Sequence, residues 1–151
     1  MSVPYENATS GQAARGEIVR ILQRFGCSSV GFMDNFDDRS VLLAFTWRER
    51  PIQMRASARG WAAAYLKEHP YTSRMKRSRS GHEAFALNQG MIAINSILRD
   101  WVKGQVTAIE TGIMSFDHVF MPHMMLPDGT PAIALMRERL SLPAPVNEQS
   151  T

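Results

Sequence analysis

The stretch Ser40-Val41-Leu42-Leu43-Ala44-Phe45-Thr46-Trp47, resumed after a short break by Pro51-Ile52-Gln53-Met54-Arg55-Ala56, decides the fold of this chain. In the first segment Val41, Leu43, Phe45 and Trp47 fall on one face of a strand, with Leu42, Ala44 and Thr46 on the other. Both faces are apolar enough for a central strand. In the second, Ile52, Met54 and Ala56 oppose Gln53 and Arg55, and Pro51 suits a strand's opening. Upstream, Val30 and Phe32 alternate with Ser29 and Gly31, and Asp34, Asn35, Asp37 and Asp38 supply turn chemistry. Connections this short join three strands most simply as an antiparallel meander.

Helical periods flank the meander. Ala14, Ile18, Ile21, Leu22 and Phe25 share one face, and Gly26 is placed to end that helix in the left-handed conformation. Ala58 to His69 favours helix, with Trp61 and Tyr65 one turn apart and Pro70 as the stop. From about His82 to Glu110, Met91, Ile94, Leu98, Trp101 and Ala108 form the stripe of a long helix, roughly 45 Å at 1.5 Å per residue, with Gly104 a point where it can bend. Gly112 reads as its terminator. Ser115 reads as the cap of a short helix ending near Pro122, Pro127 to Thr130 as a turn, and Ala132 to Leu140 as helical. Residues 70–81, which mix turn formers with four cations, read as an exposed loop. The expected class is α+β: a three-stranded antiparallel meander packed by an N-terminal helix and one long helix, with a short helical C-terminal region. Residues 1–9 read as a flexible arm, 10–142 as one domain and 143–151 as a disordered tail.

The totals narrow the class. A chain of 151 residues, 44% of them hydrophobic, can bury a core without metals or disulfides. Cys27 is the only cysteine, so no intrachain disulfide forms. The first residues lack a basic stretch leading into an apolar run, and no apolar stretch approaches the roughly 20 residues of a membrane helix. A soluble cytoplasmic protein is the expectation.

Charge supplies the functional signal. Between Arg48 and Arg79 stand nine Lys or Arg residues against two acids, Glu49 and Glu68, for a local +7 within a chain of net +3. Such a concentration beside an acidic remainder attracts polyanions. Trp47, Trp61, Tyr65 and Tyr71 are interleaved with the cations. Aromatic faces stack on unpaired bases while Lys and Arg follow phosphates. The same aromatics at strand and helix spacing equally suit a core. The expected contacts are Arg55, Arg59, Arg74, Lys76, Arg77 and Arg79 on phosphates, with Trp61 or Tyr71 stacking.

Other constellations carry less chemistry. His118 and His123 lie five residues apart with Pro122 between them, and no Cys or Glu completes a metal set. Asp128 with Glu138-Arg139 lacks the alternating lysine of a metal-dependent nuclease and reads as a turn residue. His82-Glu83 could form a proton-transfer pair, although a Glu near a helix N-terminus also suits the dipole. No catalytic, metal or cofactor site emerges. The run Phe116, Phe120, Met121, Met124, Met125 and Leu126 is rich in methionine, which fills irregular cores and also serves adaptable binding surfaces. It is the candidate surface for a protein partner or for self-association into a homo-oligomer.

Two further stretches belong together. Tyr5-Glu6-Asn7 precedes the helix from Gly16 to Gly26, and Glu110-Thr111-Gly112-Ile113 with Ser115-Phe116-Asp117 precedes Met125-Leu126-Pro127-Asp128-Gly129. In this order they resemble a family of small, uncharacterised proteins of tailed bacteriophages and prophages. The motifs are caps and turns, without transferable catalytic residues. The resemblance implies a phage or mobile-element protein acting in the bacterial host cytoplasm, beside DNA replication or recombination. The sequence thus points to a non-enzymatic accessory protein that binds nucleic acid, DNA or RNA, without strong sequence specificity. The alternative is a protein-binding modulator of a host or phage enzyme.

Overall fold

The computed structural model describes residues 2–143, in the order α1 (Gly11–Phe25), β1 (Ser29–Asn35), β2 (Ser40–Trp47), β3 (Arg50–Ser57), α2 (Ala58–Glu68), α3 (Arg79–Glu110), α4 (Phe116–Phe120), a 3-10 turn at Met121–His123 and α5 (Ala132–Arg139). The fold is α+β. Of the expected disordered tail, 144–151 lie outside the described residues.

The strands form one antiparallel sheet in the order β1-β2-β3. Its register aligns Val30, Phe45 and Ile52 in one row and Phe32, Leu43 and Met54 in the next. These rows and Val41 face the helices, and Val41, Leu43, Phe45 and Ile52 are all buried. The alternation read from the sequence therefore sets which face turns inward. α3 packs between α1 and α2 and touches β3, while α1 lies against β1. The other face carries Gly31, Met33, Leu42, Ala44, Gln53 and Arg55, and among the described residues no helix packs on it.

Local chemistry explains the boundaries. The Ser10 side chain caps α1, and Gly26, with φ 110°, closes it. Ser57 caps α2, and Ser115 caps α4 by accepting from the His118 backbone N–H. α3 starts at Arg79, earlier than the apolar period suggests, because the Ser78 hydroxyl accepts from Gly81 N–H and its carbonyl from His82 N–H. It then runs without a break through Gly104. The segment after α4 covers the start of the outer edge of β3: Met124 bridges Ile52, and Met125 N–H donates to the Pro51 carbonyl. Phe120, fully buried, meets Phe45 and Trp101 edge-on.

The N-terminal arm is held, in contrast to the expected loose segment. Val3 joins the core. Trp61 Nε1–H donates to the Pro4 carbonyl at 2.8 Å, and Gln89 donates to the carbonyls of Glu6 and Ala8. The Tyr5 hydroxyl donates to Asp100, whose carboxyl is held below its usual range by the bonds from Arg99 and Tyr5. An Arg99-Asp100-Tyr5 chain therefore pins the arm to α3 by charge-assisted bonds.

Candidate nucleic-acid interface

The nine middle cations do not form one surface. α2, 11 residues long and about 16 Å from end to end, separates Arg55 and Arg59 at its start from Lys67 in its last turn and residues 74–79 beyond its end. The single interface expected from the sequence is thus divided.

The first group is engaged by the protein itself. Arg55 occupies the outward strand position its alternation implies, yet its Nη1 lies 3.3 Å from Oδ2 of Asp38 and 3.2 Å from the Ser40 hydroxyl. Arg59 donates through Nε and Nη2 to the carbonyls of Asp38 and Asp37. These two arginines clasp the β1–β2 turn, and its acids offset their charge. Arg50 pairs with Asp117 at 2.9 Å, and the Arg48 guanidinium lies over the Trp47 ring. Arg55, whose side chain is still 45% exposed, and Arg59 thus carry bonds within the protein that a phosphate would have to share or displace.

The second group is different. Arg74, Lys76, Arg77 and Arg79 are all exposed, and none forms an ion pair with a carboxylate among the described residues. Two of them are oriented by aromatic rings. The Arg77 guanidinium carbon lies 4.2 Å from the centre of Phe85, and that of Arg79 lies 5.1 Å from the centre of Tyr71. Arg77 also donates through Nε to Nδ1 of His82, which is 1% exposed. A second atom of that ring, Nε2, sits 2.6 Å from the His69 carbonyl. All four cations lie in the segment that leads into the first residue of α3, whose dipole adds to their positive potential.

The expected stacking residues part company here. Trp61 is a core residue: it is 9% exposed, its N–H is taken by Pro4, and its ring stacks on Tyr65. Tyr71 is half-buried between Arg79 and His82, so it supports Arg79 and offers little bare face of its own. Phe85 and His82 were not read from the sequence as parts of this site. Phe85 is 40% exposed, unlike the buried Ala86 beside it.

The remaining candidates stay apart. Asp117 pairs with Arg50 and His118 with the Ser115 hydroxyl, both beyond the end of α3, whereas His82 lies in its first turns. His123 is half-buried edge-on to Trp101, and burial lowers its pKa. Among the described residues no three His, Cys, Asp or Glu side chains are grouped to hold a metal ion, and no helix is long and apolar enough to cross a membrane. A hollow of about 490 Å³ lies under the N-terminal arm, away from residues 74–79. Comparison of this chain with protein families, with curated proteins and with solved structures yields no match.

Proposed function

We propose that this protein is a non-enzymatic accessory factor that binds nucleic acid, without strong sequence preference, through the end formed by the α2–α3 connection. The observation that carries the reading is the group Arg74, Lys76, Arg77 and Arg79, exposed and without a carboxylate partner among the described residues. Charge of this kind follows phosphates, and guanidinium planes stack on unpaired bases. The resemblance to phage and prophage proteins would place this activity in a bacterial host cytoplasm. Labelled single- and double-stranded oligonucleotides titrated at two salt concentrations test it. Four neutralised phosphates on a single strand give a slope of log K against log salt of roughly −3. Replacing the four cations by Ser weakens binding and flattens that slope. An absence of binding at about 50 mM salt rejects the reading.

A second reading, a protein-binding modulator, is favoured by the C-terminal region. α5 buries none of its residues and leaves Leu135, Met136 and, just beyond it, Leu140 exposed. Met121 is exposed as that reading expects, whereas Met124 packs against the core. Recovery of a stoichiometric protein partner through this face, with no nucleic-acid affinity, would favour it.

A further inference from the structure

The two edges of the sheet are treated differently. β3 opens with Arg50-Pro51 and is covered by Met124 and Met125. β1 has no such protection. Alternate residues of an antiparallel edge strand turn their N–H and C=O groups away from the neighbour. Among the described residues no hydrogen bond reaches the outer side of β1. Its seven residues contain no proline, lysine or bulge, the usual means of blunting an edge. The adjoining surface is partly apolar, and its nearest charges, Asp34 and Arg15, are paired with each other: Met33 is 66% exposed and Phe36, just past the strand, 78%. Val19 of α1, exposed, stands one turn from Arg15, which reaches β1 through Asp34, so it borders the same edge.

We infer that β1 is a self-association edge, at which a second copy of this chain pairs antiparallel about a two-fold axis through Phe32 to give a six-stranded sheet. The sequence of the strand is complementary to itself in that register. A dyad at Phe32 uses all seven residues and sets Phe32 against Phe32 of the second copy. It sets Gly31 against Met33, Val30 against Asp34 and Ser29 against Asn35. Residues directly opposite share a face. The exposed Met33 of each copy therefore lies over the bare backbone of Gly31 in the other. A Cβ built on Gly31 meets no atom within 4 Å, so the isolated chain leaves that space open. Asp34 brings no unpaired charge to the axis, because Arg15 already holds its carboxylate through two bonds. An isologous contact of this kind closes on itself and exposes no further β1 edge, since each copy has one.

Sedimentation equilibrium under reducing conditions, which exclude a Cys27 disulfide, tests the inference. The wild-type chain is expected to approach twice its 17.0 kDa as concentration rises. Gly31→Lys has room in the monomer but occupies the place of Met33 from the second copy, and should raise the dissociation constant at least about tenfold. Met33→Lys, at an exposed position, should do the same if Gly31→Lys perturbs folding. A wild-type chain that stays at 17.0 kDa up to about 200 µM overturns the inference. So does a dimer whose dissociation constant neither substitution changes.

Discussion

Nδ1 of His82 accepts a hydrogen bond from Nε–H of Arg77 at 3.1 Å, and the opposite ring nitrogen faces the His69 carbonyl at 2.6 Å. The neutral tautomer with its proton on Nε2 satisfies both bonds at once. A buried imidazole thus ties the C-cap residue of α2 to the segment that opens α3, and it fixes the orientation of the Arg77 side chain just before the α3 cap. His82→Phe keeps the ring and loses both bonds. It is expected to cost about 1–3 kcal/mol, since the half-buried His69 carbonyl is left without its donor. The midpoint of urea unfolding measures that loss. The same variant should weaken oligonucleotide binding severalfold through the freed Arg77; unchanged affinity would show that His82 does not position it.

Arg59 separates the two groups of cations experimentally. Because Arg59 donates to the Asp37 and Asp38 carbonyls, and Arg55 meets the Asp38 carboxylate, their removal should be felt in folding and not in binding. Arg59→Ala is expected to lower stability by roughly 0.5–1.5 kcal/mol, the usual net worth of such bonds. Oligonucleotide affinity should stay within about twofold, against a tenfold or larger loss for the four Ser substitutions between 74 and 79. Equal effects on affinity would join the two groups into one interface again.

The division of the cations shows where the sequence stops being informative. Alternation in Ser40 to Trp47 and Pro51 to Ala56 settles the sheet, because burial on one face forces the register. The same register contains the pairing of Asp38 with Arg55: Ser40 lies opposite Ser57, so the acids just before Ser40 sit beside the arginines around Ser57. Counting charge along the chain hides that contact, since it crosses strands. The β2–β3 turn is illegible for another reason. Arg48 and Glu49 take φ of 48° and 67°, a conformation favoured by Asn-Gly, without any glycine to announce it. The anchors of the N-terminal arm are illegible because they are long-range: Trp61, Gln89 and Asp100 hold it by bonds to its backbone and to Tyr5, which no local period reports.

Two glycines of α3 predict opposite outcomes for the same substitution. A Cβ on Gly90 would lie 3.1 Å from the Ala58 carbonyl, 3.2 Å from the Ala58 Cβ and 3.3 Å from the Trp61 ring. Those neighbours are backbone or buried side chain, so α2 must move away from α3. Gly90→Ala should therefore destabilise the protein by about 1–3 kcal/mol. Gly104 is exposed and a Cβ there meets nothing within 4 Å. Gly104→Ala should add roughly 0.5–1 kcal/mol by helix propensity alone. Paired thermal melts give the two signs directly, and a stabilising Gly90→Ala would contradict the close approach of α2 to α3.

His123 supplies the pH dependence with a defined origin. Burial beside Trp101 lowers its pKa from the ordinary 6.5, because the charged ring loses water and gains no anion. Between the lowered folded value and 6.5 the unfolded chain binds more protons than the folded one, so stability rises with pH across that window. The contribution is complete above 6.5 and is lost as pH falls through the window towards the folded value. His123→Gln removes the titrating group. Urea unfolding at about pH 7.5 and pH 5 should then show a smaller acid loss in the variant than in the wild type, and the difference reports the shift at about 1.4 kcal/mol per unit. Identical losses would mean that the His123 ring reaches water, which its packing against Trp101 opposes.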